Sequence, residues 1–199
     1  MNSNFKISTS ILLGMLALAS CDKTEEVVKE PVKAETVKDI AANPSDAPSG
    51  NKYTFFSFKN GKIANADSAT TKWDIGFRST TIIANGGVSG PGQAANVVKD
   101  GIFSEIKEVP AGTVFNMDAA TLLGIPTGSG KGWYNYNTST NIITPIAGKV
   151  FLVKTADGKY AKFEVLSYYK GAPANPVGAV GRYYTIRYVY QPDGTTKFE

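Results

Sequence analysis

Residues 149 to 169, KVFLVKTADGKYAKFEVLSYY, alternate between apolar and polar positions on both sides of Asp157-Gly158. Period two is the strand signature, and Asp-Gly between two such runs predicts a two-residue hairpin turn, because both positions tolerate positive φ. KYTFFSFKNGKIANA predicts a second pair, turned at Asn60-Gly61. RYYTIRYVYQPDGTTKFE predicts a strand over Arg182 to Tyr190, closed at Pro192-Asp193-Gly194 and followed by a short final strand. No stretch of about fifteen residues carries a helical stripe, and the best segment, Asp118 to Ile125, amounts to about two turns. Without a helix of crossover length between them the strands pair antiparallel, so the expected fold is a single all-β antiparallel domain.

WDIGFR, Trp73 to Arg78, reads as one more strand, with Trp73, Ile75 and Phe77 facing the core and Asp74, Gly76 and Arg78 facing away. Glycines follow at once in ANGGVSGPGQ, where a phosphate loop and a turn are both conceivable. A dinucleotide fingerprint needs G-x-G-x-x-G leading into a helix. Here the spacing is Gly87-x-x-Gly90-x-Gly92 with Pro91 inside it, no helical pattern follows, and no G-x-x-x-x-G-K-[ST] occurs. Asn85-Gly86-Gly87 is therefore expected to be a hairpin turn, with a flexible loop after it.

Composition divides the chain into three parts. Lys6 precedes a short apolar run, Ile11 to Ser20, too short to span a bilayer, which makes residues 1–20 a secretory signal. The run ends in Leu18-Ala19-Ser20-Cys21, which looks like the lipobox of a bacterial lipoprotein, with Cys21 as the lipidated residue and a membrane anchor as the consequence. Residues 21–50 are rich in charge and proline and contain no aromatic residue, so they are expected to be a disordered tether. Its acidic start, Asp22 with Glu25 and Glu26, resembles signals that send Bacteroidota lipoproteins to the cell surface. Residues 51–199 hold nearly all the aromatic residues and are expected to form the one folded body.

That body carries 16 Lys or Arg against 10 Asp or Glu. The lysines stand singly and form no stripe, which argues against nucleic acid as a partner. The whole chain has no histidine, and Cys21 is its only cysteine. Intrachain disulfides, Ser-His-Asp and Cys-His nucleophiles and His or thiolate zinc sites are thereby excluded. Glu105 and Glu108 are the nearest pair of acids in the body and read as a solvated strand end rather than a glycosidase dyad. An enzyme is not expected. Trp133, Tyr134 and Tyr136 crowd four residues in GSGKGWYNYNTSTN, close to Asn141. They either wall a flat apolar ligand or cap the core beneath them.

TFFSFKNGKI, TKWDIGFRSTTIIANGGVSGPGQ, GWYNYN, ITPIAGKVFLVKTADGKYAKFEVLSYY and RYYTIRYVYQPDG together resemble the HmuY-like haem-binding lipoproteins of Bacteroidota, in the family's order and behind the expected lipobox. The resemblance implies a hand-shaped all-β fold that holds haem between loops at the outer membrane, on the cell surface, and passes it to a TonB-dependent haem transporter. Well-known members ligate haem iron with two histidines, and some relatives use methionines. This chain has only Met117 after the signal, and Ser139, Thr140 and Asn141 stand where the resemblance places an axial ligand. The haem donors usual in proteins are His, Met, Cys and Tyr. Haem ligated by Met117 with Tyr136 or nothing opposite, haem held by stacking and lysines alone, and a different ligand on the same scaffold are the three readings. A surface module that grips a partner protein or a glycan stands beside them, and Met117 as plain core filler remains the bland alternative.

Overall fold

The computed structural model describes residues 29–199. The signal, Cys21 and residues 22–28 lie outside the described residues. In chain order the strands are β1 (Lys33–Ala41), β2 (Thr54–Ser57), β3 (Gly61–Ile63), β4 (Ile75–Arg78), β5 (Thr81–Ala84), β6 (Ala95–Asp100), β7 (Tyr134–Asn137), β8 (Ile142–Pro145), β9 (Lys149–Lys154), β10 (Tyr160–Tyr169) and β11 (Gly181–Gln191). A 3-10 turn, Asn65–Asp67, is the one helical element among the described residues. The strands form a five-stranded sheet in the order β1-β11-β10-β9-β6, a four-stranded sheet in the order β3-β2-β4-β5, and the separate hairpin β7-β8. Every pairing is antiparallel, as the short connections require.

Period-two alternation turns one face of each sheet toward the other. Phe56, Ile75, Phe77 and Ile82 from the smaller sheet share one buried cluster with Phe151, Phe163, Tyr184, Ile186 and Tyr188 from the larger. Rings cross the gap, with Phe56 5.7 Å from Tyr188 and Phe77 4.8 Å from Tyr184 between centroids. Aromatic pairs at this spacing add about 0.5–1.5 kcal/mol each beyond the area they bury. The other face of the larger sheet is covered too: Val150, Leu152 and Val189 pack under Phe103, Val109 and Phe198. The expected final strand joins this cover and does not fold back on β11. Val109 donates its N–H to Thr196, and Phe198 donates its own to Lys107.

The segment expected as a tether enters the fold. β1 pairs along β11 from Lys33↔Tyr190 to Ala41↔Tyr183, with a bulge between Val37 and Ile40. A low average hydropathy concealed four apolar positions that suffice for a strand: Val32, Val37, Ile40 and Ala42 pack on the clusters beneath them. The main chain of β11 supplies the remaining stabilisation, and the Tyr188 hydroxyl donates to the Glu35 carboxylate at 2.8 Å. Charged residues on the outward side of β1 suit an edge strand, because they discourage pairing with another chain.

Turn details also differ from expectation. Lys154 and Tyr160 are partners, and Thr155 N–H bonds the Lys159 carbonyl at 2.9 Å, so Ala156-Asp157-Gly158 is a three-residue loop. Gly158 takes the left-handed position at φ 81°, the usual way to close such a loop. Asp118 to Ile125 is irregular, not helical: Ala119 and Leu122 close a small loop, the Asp118 carbonyl accepts from Val88, and the buried Asp118 carboxylate accepts from Ala84 and Gly124 at 2.8 Å each.

Asn85-Gly86-Gly87 is not a hairpin turn. It begins the loop that carries the chain from β5 in one sheet to β6 in the other. Asn85 is fully buried; its amide donates to the carbonyls of Thr70 and Trp73, and its side-chain oxygen accepts from Gly92. A Cβ at Gly90 would stand 2.1 Å from that oxygen, and one at Gly87 would stand 2.0 Å from the Asp118 carbonyl. The glycines are thus required by close packing around Asn85 and Asp118, which answers the phosphate-loop question in favour of architecture.

The registers define two ends of the body. Lys33, Tyr190, Ala161, Val153 and Asn96 lie in one row across the larger sheet, near the upper end. Ala41, Tyr169, Gly181, Lys149 and Asp100 mark the lower end. Ala161 and Tyr169 are separated by roughly 25 Å of strand at about 3.3 Å per residue.

Candidate functional site

Met117 lies at the upper end. Its neighbour Asn116 exchanges both backbone hydrogen bonds with Asn96 of β6, and its other neighbour Asp118 is buried. That alternation turns the thioether outward, where 47% of the residue is exposed, so Met117 is not core filler. It borders a cavity of about 540 Å³ lined also by Phe115, Tyr160, Lys154, Glu108 and Gln93 among others. Phe115 and Tyr160 lie 6.1 Å apart and form an aromatic wall. The lining sets the Phe115 and Tyr160 rings among polar and charged groups, Gln93, Glu108, Thr113, Lys154 and Thr196, so it suits a ligand with a flat apolar part and polar or acidic edges.

The aromatic crowd of Trp133 to Tyr136 lies elsewhere. The Trp133 indole donates to the Thr80 carbonyl at 2.9 Å, just before β5 begins, whereas Asp118, beside Met117, accepts from Ala84 where β5 ends. Trp133 is 1% exposed and packed among Tyr134, Tyr168 and Tyr184, so it caps the core and offers no ring face to a ligand. Tyr134 is buried with it. Of the two readings open from the sequence, ligand wall and core cap, the burial of both residues beneath the hairpin favours the core cap. Tyr136 points out of β7, 40% exposed, and its hydroxyl donates to Asn141 at 2.5 Å across the turn into β8. Met117 and the Tyr136–Asn141 pair therefore sit at opposite ends of the body, and the cavity beside Met117 is lined by none of Trp133, Tyr134, Tyr136 or Asn141.

Beside Asn141 lies a second, smaller cleft of about 370 Å³. Tyr168, Tyr169, Ile143, Arg182 and Ser45 line it with Asn141. The Tyr169 hydroxyl accepts the Ile143 N–H at 2.9 Å, which ties the hairpin to the larger sheet. Burial pushes the Tyr168 phenol up to about 12, so it remains a proton donor at neutral pH. Sequence reasoning missed the lining of both cavities, Phe115, Lys154 and Tyr160 above and Tyr168, Tyr169 and Arg182 below. All but Phe115 stand inside regular strands whose alternation reads as plain architecture, and Phe115 stands in an irregular segment with no pattern of its own.

The family model for HmuY protein matches residues 49–188. The chain belongs to the HmuY family. Solved structures with the same fold include an apo HmuY analog of Tannerella forsythia, at TM-score 0.56 and 17% identity, with 83% of this chain and 99% of that one covered. A Bacteroides fragilis protein described as a candidate lipoprotein follows at TM-score 0.50 and 18% identity, covering 79% and 89%. A candidate HmuY-like haem-binding protein of Bacteroides vulgatus stands at TM-score 0.49 and 18% identity, covering 82% and 96%. At these identities the likeness to the first two is one of fold. No curated protein matches the chain. The family match begins at residue 49, so β1 lies outside it. Among the described residues no helix is long and apolar enough to cross a membrane.

Proposed function

We propose that this HmuY-family protein captures haem in the cavity beside Met117, as an outer-membrane lipoprotein held at the cell surface by Cys21, and delivers it to a TonB-dependent transporter. The half-exposed thioether at the edge of an aromatic-walled cavity carries this reading. A thioether is a recognised haem-iron donor, Phe115 and Tyr160 offer flat apolar contact, and Lys154 supplies a cation for an acidic edge. These residues fit the group from one side, with a single protein donor. Haem would bring an iron centre whose electronic preference the donor sets. What the chain itself does is present a soft sulfur, exclude water with two rings, and pair one carboxylate with Lys154, while Glu108 in the same lining disfavours a second acid beside it.

Titration of the full body with haemin and with iron-free porphyrin tests the proposal. Binding of haemin with a Soret shift is expected, tighter after reduction because sulfur favours the ferrous state. Met117→Ala, at an exposed position and harmless to folding, should weaken it at least tenfold and move the Soret band. Equal binding of iron-free porphyrin would show that the iron is not read, and no binding of either would leave the fold as a surface module for a protein or glycan. Asn141→Ala should leave the haem spectrum unchanged; a loss there would move the site to the lower end. The anchor is tested separately, since Cys21→Ala should release the protein from membranes.

A further inference from the structure

The lower end concentrates the strained backbone of the molecule. Asp39, Asn43, Asn51, Ser79, Asn141, Ala172 and Arg182 are the non-glycine residues with positive φ among those described. All lie there: Gly171 bonds Asp39, Arg182 bonds the Asn43 carbonyl, Arg78 bonds that of Asn51, and Tyr184 bonds that of Ser79. Asn and Asp accept this conformation readily, but Arg182, at φ 66°, does not. Strain of this kind persists where the surrounding structure imposes it, and it gathers at ligand clamps.

Arg182 is also the only charged residue lining the 370 Å³ cleft. The polar groups around it are donors: the guanidinium, the hydroxyls of Tyr168, Tyr169 and Ser45, and the Asn141 amide. Tyr169 already accepts from Ile143, which frees its own proton for a ligand. Asn141 spends its oxygen on Tyr136, which leaves its nitrogen. Asp46, next in the chain to the lining residue Ser45, is engaged by Lys170 and Tyr183 at 2.8 Å each and is held below the usual carboxylate range by them. Ile143 and Ala179 add apolar contact on one side of the cleft. The volume suits a single ring.

We infer that this cleft is a second binding site, distinct from the Met117 cavity, for a small acidic sugar whose carboxylate pairs with Arg182 and whose hydroxyls accept from Tyr168, Tyr169 and Asn141. An Arg–carboxylate pair can use two parallel N–H bonds, which gives orientation as well as charge selection. The arginine is held in a conformation that glycine would adopt more easily, so stability and binding pull in opposite directions at this position.

D-glucuronate is the probe, with D-glucose as its neutral counterpart, followed by amide-resolved NMR titration of the full body. Glucuronate should shift the amides of Asn141, Tyr169 and Arg182 at millimolar concentration, and glucose should bind at least tenfold more weakly. Arg182→Gly should abolish the response while the melting temperature stays level or rises, which separates loss of the site from loss of the fold. Tyr168→Phe should weaken binding severalfold with the charge intact. No response to glucuronate at tens of millimolar, an Arg182→Gly variant that binds as well as wild type, or displacement of glucuronate by haemin would each overturn the inference.

Discussion

Trp73→Ala is expected to destabilise the protein by about 3–5 kcal/mol, the usual cost of deleting a large buried aromatic side chain. Trp73 has no exposed surface. Its ring lies 4.5 Å from that of Phe55, and its indole N–H donates to the Ser68 carbonyl at 2.9 Å. Its own carbonyl accepts from Asn85, so one residue joins the outer face of the smaller sheet to the loop that crosses between sheets. The loop cannot collapse onto the gap easily, because Gly90 already sits against the ring: a Cβ there would be 2.9 Å from it. Urea denaturation should give a lower midpoint with an unchanged slope, and Trp73→Phe should recover more than half of the loss. With a typical domain holding about 5–15 kcal/mol in total, the alanine variant would be near its limit at 37 °C. A loss below about 1 kcal/mol would mean that the loop refills the space and that the ring is no pillar.

The face of that same residue marks where sequence reading stops. Alternation put Trp73 with Ile75 and Phe77, yet it packs with Phe55 and Ile83 on the opposite side of the sheet, while Ile75 and Phe77 join the central core. The strand proper begins only at Ile75, so period two does not extend back through Asp74. Gly76 makes room on that outer face, where an added Cβ would meet Ile83 at 3.0 Å. The all-β class, the strand over 182–190 and the β9-β10 pair were legible because they depend on local alternation and turn chemistry. β1 was not, because its stability comes from the edge of β11, some 150 residues away in the chain.

The candidate sites divide along the same line. Met117 stood out only through the family resemblance, as the one thioether left after the signal, and its exposure depends on the pairing of Asn116 with Asn96, which no local pattern announces. Trp133 and Tyr134 stayed undecided between wall and core cap because four aromatic and polar residues in a glycine-rich context look alike whether they cover a ligand or a core. Tyr136 and Asn141 did prove to be neighbours, through a turn that their spacing alone suggested. Arg182 left only the trace of a long polar residue directly after Gly181 at the start of an apolar strand; its positive φ comes from the register shift of β11 against β10, which no local pattern announces.

Asp74→Asn should change how stability depends on pH, and the sign follows from its surroundings. The carboxyl is buried between the sheets, where one oxygen accepts the Phe58 N–H at 2.8 Å and the other the Ala156 N–H at 2.9 Å. Burial raises its pKa to about 6, against the pull of those two donors and with help from the like charge of Asp157. A folded-state value above the unfolded one means that the native protein binds the proton more tightly. This group's contribution is therefore fully present below about pH 4 and is lost as pH rises through about 6, an effect of about 3 kcal/mol for a shift of this size. Asparagine does not titrate, so the variant should lack that decline. It also has only one acceptor for two inward N–H groups, which leaves either Phe58 or Ala156 facing a donor, at a cost of about 1–3 kcal/mol. The variant should then be clearly less stable than wild type at pH 4.5 and close to it at pH 7.5. Urea midpoints for both proteins across that range decide the matter, and parallel pH profiles would show that Asp74 stays ionised in the folded protein throughout.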